Sequence, residues 1–171
     1  MSARGRDASD ASAPALTHAD ASGTARMVDV GAKPATERRA SATGAIRMQR
    51  ATLELIRANQ LAKGDVLGVA RIAGIMAAKR TSELVPLCHP IALTHVDVAL
   101  VLDDALPGVR VTTSAATVAG TGVEMEAIVA ATIALVTIYD MAKSADRAMV
   151  MEDVHVTAKS GGRSGDFVAP T

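Results

Sequence analysis

The sequence predicts an α+β fold, an antiparallel sheet covered on one face by helices. Three observations carry that expectation. Two segments with apolar residues at alternate positions, Val96 to Leu102 and Val109 to Ala119, flank the turn-forming run Asp103 to Gly108 and read as a β-hairpin. Gly122 to Asp146 contains no proline and is dense in Ala, Ile, Val and Met, the mark of a long helix buried over much of its circumference. The elements run strand, two helices, two strands, long helix, strand, which supplies helices for one face of a sheet but too few for both. If the second face is also apolar, a partner subunit is expected to cover it.

Met1 to about Ala15 is rich in Ala, Ser and Asp without apolar periodicity. Burying so little apolar surface does not offset the entropy of ordering, so a flexible tail is expected there, with the domain spanning residues 16–171. Met27-Val28-Asp29-Val30 opens the ordered part, and Ala40 to Met48 alternates loosely, as a strand does. Thr52 to Asn59 places Leu55, Ile56 and Asn59 at helical spacing, and Lys63-Gly64-Asp65 breaks the chain before a second helix from about Asp65 to Arg80. Pro86 and Pro90 bracket Leu87-Cys88-His89, and proline's fixed φ and missing N–H make this a rigid, extended link into the hairpin. Thr121 and Glu124 have the spacing of a capping box at the start of the long helix. Val154, Val156 and Ala158 alternate in a last strand, followed by a polar, glycine-rich segment from Ser160 to Asp166.

At 171 residues the chain is of one-domain size, and 49% apolar with 21% charged residues excludes global disorder. With no Trp, one Tyr and one Phe, the core must be built from Ala, Val, Leu, Ile and Met. The same scarcity argues against an RNA-binding module, which stacks bases on sheet aromatics. Lys plus Arg and Asp plus Glu total 18 each, so no global field draws nucleic acid or an acidic membrane, and any anion site must be local. The single cysteine, Cys88, cannot form an internal disulfide, which fits a reducing compartment and makes the cytoplasm the expected location. The longest apolar-rich stretch, Ile128 to Ile138, is short for a bilayer span, and the N-terminus lacks the apolar core of a signal peptide. Neither export nor a membrane anchor is expected.

Asp140 and Lys143 stand three positions apart near the end of the long helix and project from one face. Spacing alone describes either a proton-exchanging pair or a surface ion pair worth about 0.3–0.5 kcal/mol. A lysine, with an ordinary pKa of about 10.4, is a base at neutral pH only where burial or nearby positive charge lowers it; otherwise Lys143 is an acid or an anion clamp. His89 sits on a stiff segment suited to a fixed ligand contact or a structural hydrogen bond. A zinc centre needs a third and usually a fourth ligand, and the remaining histidines, His18, His95 and His155, supply no recognisable spacing, so no metal site is expected. Lys159-Ser160-Gly161-Gly162-Arg163-Ser164-Gly165 combines two cations with unshielded backbone N–H groups, an arrangement suited to phosphate. It lacks the order of a Walker A loop, and a solvated loop is the alternative. Lys63, Lys33, Arg38 and Arg39 add local positive charge. Glu124 and Glu126 begin the long helix, where carboxylates meet the positive end of its dipole. From Glu126 to Asp140 a helix rises about 21 Å, so the two ends cannot line one compact site in one subunit. If both serve one ligand, the simplest geometry is an interface between antiparallel long helices of two subunits.

The motifs Met27-Val28-Asp29-Val30, Lys63-Gly64-Asp65-Val66, Ala70-Arg71-Ile72-Ala73-Gly74-Ile75, Ala77-Ala78-Lys79-Arg80-Thr81, Pro86-Leu87-Cys88-His89-Pro90, Thr121-Gly122-Val123-Glu124-Met125-Glu126-Ala127, Thr137-Ile138-Tyr139-Asp140-Met141 and Lys159-Ser160-Gly161-Gly162 follow one another in order. Together they resemble the cyclic pyranopterin monophosphate synthase family, the C family of molybdenum cofactor biosynthesis proteins, from about Leu16 to Phe167. Departures are confined to Ser82-Glu83, Val85 and Ser144-Ala145, and remove no proposed catalytic group. The resemblance implies a ferredoxin-like fold and a lyase converting 3′,8-cyclo-7,8-dihydroguanosine 5′-triphosphate into cyclic pyranopterin monophosphate and pyrophosphate. It implies a homohexamer, a trimer of dimers with sites at subunit interfaces, and no required cofactor, Mg²⁺ being an optional companion of the triphosphate.

Carried over by position, the resemblance makes Asp140, Lys143 and Lys63 the catalytic group, and Leu87, Cys88, His89, Met125 and Glu126 substrate-binding residues. Glu124, Lys159, Lys33 and Arg38 become additional contacts. A nucleotide sensor without chemistry would share Lys159 and Arg163; Asp140 and Lys143 tell the two apart.

Overall fold

The computed structural model describes residues 24–163 and 165–170. The expected tail over residues 1–15, the domain start at 16, His18 and Ser164 lie outside the described residues. The elements are β1 (Thr36–Arg47), α1 (Arg50–Arg57), α2 (Val66–Ala78), α3 (Thr81–Leu84), β2 (Leu93–Asp103), β3 (Gly108–Ala119), α4 (Glu124–Ala142), β4 (Val150–Ser160) and β5 (Phe167–Val168). The strands form one antiparallel sheet in the order β2-β3-β1-β4-β5. The connections from β1 to β2 and from β3 to β4 each pass over one intervening strand by way of helices, which is the ferredoxin-like α+β arrangement.

Register divides the sheet into two chemically distinct faces. Ala42, Thr113 and Val98 are opposite one another on neighbouring strands, as are Gly44, Val111 and Leu100, and Ile46, Val109 and Leu102. Most of these residues are buried beneath the helices, and the Thr113 hydroxyl donates to the Ala127 carbonyl of α4 at 2.7 Å. The alternate rows are Ser41, Ser114 and Asp97; Thr43, Thr112 and Ala99; and Ala45, Arg110 and Val101. The open face is therefore mostly small, polar and charged, with Val101 62% exposed among these residues.

Helix α4 lies across the sheet with Ala127, Ala130, Ala131, Ala134, Leu135, Ile138 and Ala142 all at 0% exposure. Its 19 residues are long and apolar enough, by length and composition alone, to cross a membrane, which revises the reading based on Ile128 to Ile138. Over half of that window is buried inside the protein, and the helix carries Glu124, Glu126 and Asp140, so it serves as the core helix of the domain. Small residues let α2 approach it closely. A Cβ at Gly74 would lie 2.9 Å from the Ala130 carbonyl oxygen, a backbone atom that cannot swing aside. Gly74→Ala is expected to destabilise the fold by about 1–3 kcal/mol, read as a lower urea midpoint at unchanged m-value.

Several boundaries differ from those expected, each for a tertiary reason. β1 starts at Thr36 rather than Ala40 because Thr36 to Arg39 pair with Ala119 to Ala116, and Arg39 pairs also with Ser160. β4 starts at Val150 rather than Val154; Asp153 has φ 56° and the register with β1 shifts there, so the alternation is broken. The capping box does not form: Val123 is the N-cap of α4, with no side-chain cap, and Glu124 turns to Lys159 instead. α3 and β5 were not expected; four and two residues are too few to establish a period. The Asp65 boundary is as expected, since its side chain caps α2 by accepting from Gly68 N at 2.9 Å.

Candidate functional site

The residues singled out in the sequence fall into two groups at opposite ends of α4. At its N-terminal end is a cavity of about 410 Å³ lined by Val28, Val30, Lys33, Leu87, Cys88, His89, Ile91, Thr121, Gly122, Glu124, Met125 and Glu126. The proline-bracketed link brings Leu87 to His89 against the first turn of α4, and the segment before β1 closes the other side. His89 is fixed by contact of its Nε2 with the Val28 carbonyl oxygen at 2.7 Å. A carbonyl only accepts, so Nε2 carries the proton, and in the neutral ring Nδ1 is left as an acceptor.

Glu126 is only 4% exposed, and burial, followed by the charge of Glu124, pushes its carboxyl above the ordinary value of 4.5. The Cys88 thiol is likewise pushed up, by burial first and the nearby Glu126 charge second. A thiol so protonated is a weak nucleophile, which makes Cys88 a wall of the cavity. Glu124 is paired with Lys159 Nζ at 3.0 Å.

A smaller void beside the cavity shares Gly122 and Glu124 with it and adds Arg38, Arg39, Lys159, Ser160 and Gly161. Arg38 Nη1 donates to the Gly161 carbonyl at 3.3 Å, while its Nε is buried without a partner among the described residues. Gly161 and Gly162 have φ of 89° and 82°, and a Cβ at Gly162 would fall on the Arg38 guanidinium, so the loop turns over Arg38 only because both are glycine. Lys33, Arg38 and Arg163 line a further hollow of about 230 Å³. Cations thus collect on this flank although the chain as a whole is neutral.

At the C-terminal end of α4, Asp140 accepts from two ammonium groups. Lys143 Nζ lies 2.7 Å from Oδ1, and Lys63 Nζ, from the loop between α1 and α2, lies 2.6 Å from Oδ2 and 3.1 Å from the Asp140 carbonyl oxygen. All three side chains are about half exposed. The hydrogen bonds from Lys143 and then Lys63 hold the Asp140 carboxyl at about 2, and Asp140 in turn raises Lys143 above its ordinary value. The base reading of Lys143 needs a shift in the opposite direction, so in this arrangement Lys143 is protonated and Asp140 ionised. Because Asp140 is held below its unfolded value, its pairing favours the folded chain above pH 3.8 and that contribution is lost as pH falls towards about 2. Lys63→Ala removes one cation, so the Asp140 carboxyl is expected to titrate at a higher pH than in wild type, as read from its ¹³C chemical shift.

The two groups do not meet within the chain: the helix between Glu126 and Asp140 rises about 21 Å. Among the described residues no group of three or more His, Cys, Asp or Glu side chains is placed to hold a metal. Sequence reasoning missed Val30, Ile91, Thr121 and Gly122 as cavity walls, and Val28 as the partner of His89. Met27 to Val30 was legible as an ordered segment, but no local pattern says that a segment 61 residues upstream folds over His89. A family model described as the MoaC family matches residues 27–162, which takes in both ends of α4, the proline-bracketed link and the glycine pair after β4. The chain belongs to the MoaC family, a family of enzymes of molybdenum cofactor biosynthesis.

Proposed function

We propose that the protein is a phosphorus–oxygen lyase that converts (8S)-3′,8-cyclo-7,8-dihydroguanosine 5′-triphosphate into cyclic pyranopterin monophosphate with release of pyrophosphate. The observation that carries this reading is the division of labour along α4. One end has a cavity of mixed apolar and polar lining flanked by cations, and the other has an ionised carboxylate held between two ammonium groups. The cavity volume suits a nucleotide-sized ligand. In this reading Glu126 and Glu124 take the N–H edge of the guanine-derived ring, Leu87, Cys88 and Met125 enclose it, and His89 orients it through Nδ1. Lys33, Lys159 and Arg38 hold the phosphates.

Protonated Lys143 and Lys63 supply protons as the purine-derived rings open and reclose, and Asp140 holds both ammonium groups in place. A ribose-derived hydroxyl then attacks the α-phosphorus. The new O–P bond forms as the bond from that phosphorus to the bridging oxygen breaks, the hydroxyl proton passes to a basic group in the site, and pyrophosphate leaves with the bridging oxygen. The cations stabilise the charge that gathers on the phosphoryl oxygens. Mg²⁺, where present, would enter with the triphosphate.

The reading requires a second subunit to bring Lys63, Asp140 and Lys143 to the cavity. We assign this to antiparallel α4 helices in a dimer, three such dimers forming a homohexamer. Its support is the helix length and the apolar side chains that α4 leaves exposed, Met125 and Val136 at 39% and 41%. The free thiol of Cys88 fits a cytoplasmic enzyme. The deciding experiment is mass-spectrometric detection of cyclic pyranopterin monophosphate after adding the cyclised dihydro-GTP, with plain GTP as the inert control. Binding of the cyclised compound without product would make the protein a nucleotide sensor instead.

A further inference from the structure

We infer that Asp146 is a positioning residue for the Lys63, Asp140 and Lys143 cluster, clamping the end of α4 to the start of α1. Asp146 is 3% exposed, and a carboxylate that deep is tolerated only with its oxygens satisfied. Oδ2 accepts from the backbone N of Gln49 at 2.8 Å; Oδ1 accepts from the backbone N of Ala148 at 2.9 Å and from Gln49 Nε2 at 3.4 Å. Its own backbone N donates to the Ala142 carbonyl at 3.1 Å, which ties it to the last turn of α4.

The partner is what gives this clamp its reach. Gln49 is the N-cap of α1, its carbonyl accepts from the backbone N of Thr52 and of Leu53, and its side chain makes no cap of its own. Lys63 follows α1 on a short connection anchored by buried Leu61, whose carbonyl accepts from Gly64 N at 3.0 Å. Its ammonium group must then cross from this connection to Asp140 on α4. The α1 unit therefore meets the end of α4 through two links, Gln49 to Asp146 and Lys63 to Asp140. The first is part-buried, with Asp146 3% exposed but Gln49 at the surface, and the second about half exposed. The buried Asp146 carboxylate is screened less by water than the half-exposed ion pair, so its link sets the spacing that the exposed pair reads out. Tyr139, beside Asp140, donates its hydroxyl to the Arg147 carbonyl at 3.2 Å and steadies the same loop.

The inference rests on the cluster being the chemical half of the site, and its test separates the two claims. Asp146→Ser keeps a short acceptor for Ala148 N but cannot reach Gln49. Gln49→Pro deletes the donor at a residue whose φ of −65° proline already adopts. Crystal structures of both variants are expected to show Lys63 Nζ beyond hydrogen-bond reach of Asp140, with the contact between His89 and Val28 unchanged. In turnover, kcat is expected to fall about 10–100-fold while KM stays within about twofold, the signature of misplaced reacting groups with intact binding. Lys63 remaining on Asp140, an unchanged kcat, a rise in KM in place of the loss in kcat, or loss of fold in both variants would each overturn it. Wild-type turnover by Lys143→Ala would instead sink the catalytic reading, while the crystallographic distance still decides the clamp.

Discussion

Lys143→Ala is expected to yield a folded oligomer that binds the cyclised dihydro-GTP and makes almost no product, with turnover lower by about 10²–10⁴-fold or more. The fold should tolerate the change because Lys143 is the C-cap of α4, half exposed, and its side-chain ion pair is with Asp140 one turn back. On the proposed reading, what disappears is a proton donor whose charged form Asp140 favours. Lys143→Arg should not restore the rate, since a guanidinium preserves charge but releases a proton far less readily than an ammonium group. Circular dichroism and the thermal midpoint report the fold, and substrate affinity by calorimetry reports the other half of the site. Wild-type turnover in the alanine variant would remove Lys143 from the chemistry.

A second large effect concerns where the site is assembled. Glu126→Gln and Lys143→Ala, each inactive alone, are expected to regain about a quarter of wild-type turnover when mixed in equal amounts with free subunit exchange. The fraction follows from geometry. If a site takes its Glu126 end from one subunit and its Lys143 end from another, each end is intact with a probability of about one half, and both with about one quarter. A site formed within one chain would give no recovery, because each chain lacks one essential end. Native mass spectrometry supplies the control: exchange proven and activity absent would rule out the shared site. The two substitutions sit at opposite ends of one helix, so neither is expected to disturb the packing of the other.

The identities of the candidate residues were largely legible in the sequence, and their surroundings were not. Pro86 and Pro90 marked His89 as rigidly held because proline acts on its own backbone, but the carbonyl of Val28 that selects the ring tautomer comes from a distant segment. Thr121 and Glu124 carried a valid capping signature, yet Glu124 pairs with Lys159 from β4, a cation no local pattern could supply. For Lys143 the sequence left acid, base and clamp open. The direction of its shift depends on Asp140 lying 2.7 Å away, beyond what three positions of spacing alone can say. Asp146 was read as no more than the end of a helix, since burial and the Gln49 partner belong to the folded chain.

By itself the sequence determined the order of the longer strands and helices, the small-residue core, the family and the residue types available for chemistry. Each of these is written in periodicity, backbone restriction or motif over a few neighbouring positions. Only the tertiary structure decided strand bounds and bulges, the polar character of the open sheet face, the pairing of Glu124 and the buried clamp at Asp146. These depend on contacts between residues tens of positions apart, which form when packing and hydrogen-bond satisfaction are met for the whole chain at once.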